Sequence, residues 1–138
     1  MLSRQPKRRI KPRQGALLSA EMLITFPVLM VMLFGLVETS LLISAYNQLK
    51  HASSVGARVC SISPGDSSAK VAMAIREALN NDDDLIQAAT VTLVDNGSGE
   101  ICRVTIELSM SEAAPNLLEA FGFKLDGTLK ATTAMLKE

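Results

Sequence analysis

The stretch that most limits what this chain can become runs from Ala16 to Ala45, ALLSAEMLITFPVLMVMLFGLVETSLLISA. Sixteen of its residues, Met22 to Val37, carry no charge and are nearly all apolar. A buried core helix fits poorly, because a chain of 138 residues has little other mass to surround one. A cleaved secretory signal has a shorter apolar region, about 7–15 residues, and a small-residue cleavage site after it. Phe34 to Ile43 offers no A-x-A site. A membrane span needs about 20 residues. Ala16 to Val37 supplies twenty-two with one charge, Glu21. At about 1.5 Å rise per residue that is roughly 33 Å, enough for the hydrocarbon layer.

Charge orients the span. The net charge is zero, but Arg4, Lys7, Arg8, Arg9, Lys11 and Arg13 place six of the fourteen basic residues in the first thirteen positions. From Ala16 onward, eight basic residues face fourteen acidic ones. Positive charge beside an apolar segment holds that end in the cytoplasm, so the remainder is expected outside. Residues 1–15 read as a disordered, basic cytoplasmic leader. Residues 16–38 read as the transmembrane helix, 39–61 as its outward extension, and 62–138 as an extracytoplasmic head. Aromatics are 4% and Trp is absent, so base stacking has little to work with and nucleic acid is not an expected partner.

Three residues of the span have specific expectations. Pro27 lacks an N–H and crowds the carbonyl of Leu23, which predicts a kink that membrane helices tolerate. Glu38 falls at the outer interface. Glu21 is costly within a lipid-facing helix and marks function by default, unless it is solvated at the inner headgroups. The helix is expected to continue outward to about Ser61. Leu42, Ala45, Leu49, Ala52, Val55 and Val59 recur at spacings of three or four, a narrow apolar stripe with Ser53 and His51 lying off it.

Ser63-Pro64-Gly65-Asp66 breaks that helix, and Asp66 or Ser67 can cap a second, on which Val71, Ile75, Ala78 and Leu79 share a face. Asn80 to Asp84 reads as a solvated acidic loop, without the glycine and distal glutamate of a calcium loop. Thr90 to Val94 reads as a strand, and Asp95 to Gly99 as a turn. Glu100 to Met110 is the clearest strand. Cys102, Val104, Ile106, Leu108 and Met110 point one way, and Arg103, Thr105, Glu107 and Ser109 the other, as in an antiparallel sheet with one wet face. Pro115 to Phe121 is an apolar loop or short helix, and Thr128 to Leu136 a third strand. The fold class is therefore α+β: a long N-terminal transmembrane helix, then a small head with a second helix and a three-stranded antiparallel sheet.

Catalytic and metal chemistry find no constellation. Cys60 and Cys102 form no CxxC or Cys/His cluster, and His51 is the single histidine, which argues against zinc. No nucleophile elbow or phosphate-cradling loop occurs, so neither an enzyme nor a cofactor is expected. Outside the cytoplasm a Cys60–Cys102 disulfide is allowed. Two small buried thiols are the alternative.

The arrangement follows the plan of type IV pilin-like proteins. RQGALLSAEMLITFPVLMVMLFGLVE followed by SAYNQLKHASSVGAR closely resembles TadE-like proteins, pseudopilin-type components of the tight adherence (Tad) pilus system. The residues that carry the resemblance are Arg13-Gln14-Gly15, Glu21, Pro27, Phe34-Gly35-Leu36-Val37-Glu38 and Gly56-Ala57-Arg58. The ending LKATTAMLKE is similar to the family's terminal strand. The resemblance is strong over residues 13–58 and weak in the head.

It implies a bacterial inner-membrane protein that takes part in assembling, terminating or regulating a pilus rather than forming the bulk fibre. It also implies a lipid bilayer, a prepilin peptidase, other pilin-like subunits and Tad assembly proteins as partners. The peptidase would cut at the end of the leader. The usual register puts glutamate fifth after the cut; here Glu21 is sixth after Gly15 and fifth after Ala16. Cutting frees an α-amine, which the Glu21 carboxylate of a neighbouring subunit could neutralise in a low-dielectric setting. A contrasting expectation with the same topology is an unprocessed single-span protein whose outer head binds an envelope partner.

Overall fold

The computed structural model describes residues 14–63, 68–79, 83–95 and 100–137, with side chains from residue 21 onward and without that of Asp83. Residues 1–13 of the basic leader, the helix break at 64–67, with the expected caps at Asp66 and Ser67, and residues 96–99 of the turn lie outside the described residues, whereas Gln14 and Gly15, expected in a disordered leader, are helical. The chain divides into two compact units, one ending at Leu33 and the other starting at Phe34.

Helix α1 covers Gln14–Ile62 and is continuous through Pro27. In the first unit its side chains at Met22, Leu23, Ile24, Phe26, Leu29 and Leu33 are all exposed. Among the described residues, α1 is the helix long and apolar enough to cross a membrane. A helix that is apolar all round has no water-facing side, which is the pattern of a segment solvated by lipid or by other helices.

The second unit is a head built on the remainder of α1. Helix α2 spans Ser68–Ala78, helix α3 Asp83–Ala88, strand β1 Thr90–Asp95, strand β2 Ile101–Ser109, helix α4 Met110–Ala113, and strand β3 Thr128–Leu136. A 3-10 turn, Leu117–Phe121, lies between α4 and β3. The sheet is antiparallel with β2 in the centre. This is the pilin-like α+β arrangement, a long apolar helix with a small helix-and-sheet head.

Register follows from the alternation on β2. Cys102, Val104, Ile106 and Leu108 are buried, while Arg103 faces solvent. Their partners on β3 are Met135, Thr133, Ala131 and Leu129, all buried or half-buried. A one-residue slip would turn all four apolar β2 residues outward, so burial fixes the pairing. The core joins this face to Leu49, Ala52, Ala57 and Cys60 of α1 and to Val71, Ile75 and Leu79 at α2.

Three details differ from the sequence reading. The strand stops at Ser109, and Met110 opens α4: its N–H still donates to the Gly127 carbonyl at 3.0 Å, while its carbonyl accepts the Ala114 N–H at 3.2 Å. Gly127 holds φ at 149°, which glycine adopts readily. The acidic run is not all loop: α3 starts at Asp83, and acids in a first turn complement the helix dipole. The stripe on α1 begins as expected at Ala45, Leu49 and Ala52, then moves to Ser53, Gly56, Ala57 and Cys60, leaving Val55 and Val59 half-buried. The buried face is made of small residues because α2 comes close there. A Cβ on Gly56 would stand 2.9 Å from both Cγ1 and Cδ1 of Ile75.

Candidate functional site

The candidate site is α1 itself, and its parts are best taken from the N-terminal end. Gly15 and Ala16, where leader processing is expected, are helical in backbone within the first turn of α1. Glu21 is exposed, and its backbone carbonyl accepts the Thr25 hydroxyl at 2.8 Å. Met22 and Pro27 follow on the same exposed apolar helix. His51 is likewise exposed on α1. Among the described residues no group of three or more His, Cys, Asp or Glu side chains could hold a metal ion.

The exit motif, Phe34-Gly35-Leu36-Val37-Glu38, has a structural task that spacing did not reveal. Glu38 is 2% exposed. Its Oε1 accepts the backbone N–H of Leu118 at 2.8 Å, from a residue 80 positions away in the chain. The first N–H groups of a helical turn have no partner within the turn, and a carboxylate is a strong acceptor for one. One turn earlier, Gly35 leaves room for the same segment: the Leu118 methyl comes to 4.0 Å of where a Cβ would stand. The Phe34 ring lies 6.1 Å from the Phe121 ring, tilted by 49°. Thus Phe34, Gly35 and Glu38 form a seat for the 3-10 turn, while Leu36 and Val37 point outward. Glu38, read from sequence as an interface charge, is an internal acceptor.

Beyond the seat, α1 is fixed to the rest of the head at three levels, two on the sheet and one on α2. Ser53, expected off the buried stripe, is fully buried. Its hydroxyl donates to the Lys50 carbonyl at 2.9 Å and shares a hydrogen bond with the Thr133 hydroxyl at 2.8 Å. That pairing satisfies both hydroxyls inside the core. Gly56 admits α2. At the end of α1, Cys60 is joined to Cys102 on β2 in a disulfide with a Cα–Cα distance of 6.3 Å.

A part-buried ion pair closes one end of the sheet. Lys137 is 6% exposed, and its Nζ lies 2.7 Å from Asp95 Oδ2. Its backbone N–H also donates to the Glu100 carbonyl at 2.9 Å. The pair ties the end of β1 to the end of β3 across β2. Sequence gave no signal for it, because the lysine and the aspartate are 42 positions apart. The cross-strand pair Lys130–Glu107 at 2.6 Å is half-exposed and contributes little by comparison.

Residues 18–58 match the model of a protein family described as TadE-like protein. The matched segment starts before Glu21, takes in the exit motif, and ends at Arg58 beside Gly56. No curated protein and no solved structure matches the chain.

Proposed function

From a TadE-like domain at residues 18–58 as the starting point, we propose that this protein is a membrane-anchored, non-catalytic pseudopilin that takes part in assembling a Tad-type adhesion pilus. It sits in the bacterial cytoplasmic membrane with its N-terminus inside and its head outside. The observation that carries this reading is the family match falling on α1, with its apolar stretch and exit motif, rather than on the sheet. Six basic residues ahead of the helix support the orientation. The Cys60–Cys102 bond supports an oxidising compartment for the head.

Glu21 is the assembly contact in this reading. A prepilin peptidase removes the leader at Gly15 or Ala16, and the freed α-amine pairs with Glu21 of an adjacent pilin-like subunit. An exposed carboxylate on an otherwise apolar helix face suits that use, since an opposite charge in low dielectric is its strongest available partner. The one-residue offset of Glu21 from the Gly15 register favours a second reading. There the leader stays in place, and the head binds an envelope partner.

Intact-mass measurement of the protein made with and without its peptidase decides between them. Loss of residues 1–15 or 1–16 only when the peptidase is present is expected. An unchanged mass removes the pseudopilin reading and leaves the unprocessed binding module.

A further inference from the structure

Glu38 is the one charged residue between Glu21 and Lys50, and it is turned inward. Among the described residues of α1, no charged side chain is therefore exposed between those two positions. Leu36, Val37, Leu41 and Ile43 are exposed instead, so the outward-facing surface stays free of charge on both sides of Glu38. The seat formed by Phe34, Gly35 and Glu38 adds a second apolar element at the same level. Phe34 lies three residues inside the end of the apolar run at Val37, about 4.5 Å along the helix axis. The Phe121 ring rests against it. Phe121 is 39% exposed and Phe123 is 59% exposed.

We infer that the segment Leu117–Phe123 dips into the outer leaflet of the bilayer, so that the head touches lipid through Phe121 and Phe123 as well as through α1. The inference rests on the membrane-anchored reading of α1. Four features in and beside the segment suit an acyl-chain and headgroup environment. Its first-turn N–H at Leu118 is already taken by Glu38, so that donor needs no water. Gly122 N–H donates back to the Glu119 carbonyl at 2.9 Å, and Phe123 N–H to the Leu118 carbonyl at 3.2 Å, which satisfies the end of the turn internally. Lys124 follows immediately and is exposed, placed to meet phosphate groups while the two rings face the chains. Glu119 is exposed on the turn and accepts from the Asn116 amide at 3.3 Å, which assigns that side to the headgroup level.

The chain contains no tryptophan, so a single introduced one is an unambiguous reporter. The full-length protein carrying Phe123→Trp, or Phe121→Trp as a second reporter, is reconstituted into phosphatidylcholine–phosphatidylglycerol vesicles. The acyl chains of these lipids are brominated near the headgroup end. Leu29→Trp serves as the reference for the span, and Met73→Trp, exposed on α2, as the reference for the head. Brominated lipid is expected to quench the reporters at 121 and 123, as well as Leu29→Trp, and to leave Met73→Trp unquenched. Quenching of Leu29→Trp with neither 121 nor 123 affected overturns the inference and leaves the anchor intact. A blue-shifted but unquenched emission at 123 also overturns it, because a second copy of the chain then covers the ring. No quenching of Leu29→Trp removes the anchor reading and the inference with it.

Discussion

The two stretches of α1 are one helix by backbone and two by surface. From Met22 to Leu33 large apolar side chains are mostly exposed, with Met30 and Val31 half-buried. From Ala45 to Cys60 the helix buries a narrow face of mostly small residues: alanines, Ser53, Gly56 and a half-cystine. The difference shows how one helix can serve two solvents. Where the neighbour is lipid or another subunit, bulky side chains on every side are useful. Where the neighbour is the chain's own head, small residues let a second helix and a sheet approach the backbone. Substitutions in the second stretch should cost stability, and those in the first should cost association.

The largest expected effect is on the disulfide. Closing a loop of 42 residues constrains the unfolded chain by about 4 kcal/mol in the chain-entropy model. The pair Cys60→Ala and Cys102→Ala should therefore lower the urea midpoint of the full chain in detergent micelles, as a loss of that size is a large share of a typical margin of about 5–15 kcal/mol. Membrane retention should be unchanged. A midpoint equal to that of the parent protein would contradict a structural role for the bond.

A smaller loss is expected at the close approach of α2. Gly56→Leu forces a side chain against Ile75 and Val71, an overpacking that costs about 2 kcal/mol. The same unfolding measurement reads it, along with faster trypsin cleavage near Arg76 as α2 loosens. Gly56→Leu that unfolds at the parent midpoint would mean that α2 moves aside freely.

The smallest effect on stability, and the largest on partners, belongs to the first stretch. Glu21→Ala should leave the urea midpoint of the head unchanged, because Glu21 is exposed and it is its backbone carbonyl that accepts the Thr25 hydroxyl. It should reduce co-purification with other pilin-like subunits after mild detergent extraction. Full recovery of those subunits would dismiss the assembly contact.

What sequence conveyed depended on whether the signal was periodic or distant. The alternation from Cys102 to Leu108 states which side of β2 is wet, and the apolar run from Met22 to Val37 states which part of α1 avoids water. Both are local patterns with a fixed period. The buried face of α1 was harder to read. A search for bulky apolar residues favours Val55 and Val59, whereas close helix packing selects Gly56, Ala57 and Cys60. Ser53 and Glu38 were illegible for another reason. Each is polar, and each is buried by a partner 80 positions away, Thr133 and Leu118. Only the folded head supplies those partners. Helix α3 was hidden because Asp83 and Asp84 suit a solvated loop and a helix N-terminus equally well.

The connection from Cys60 to Cys102 has a mechanical side. Covalently, it takes the end of α1 straight to β2, the middle strand of the sheet, and bypasses α2, α3 and β1, which all lie within the loop it closes. A pull applied along α1 is delivered to the strand that is held by neighbours on both sides. The load is then shared by the two ladders of β2, to β1 and to β3, and α2 and α3 hang beside the load path rather than in it. A head that remains attached under tension can be small if the force enters at its centre.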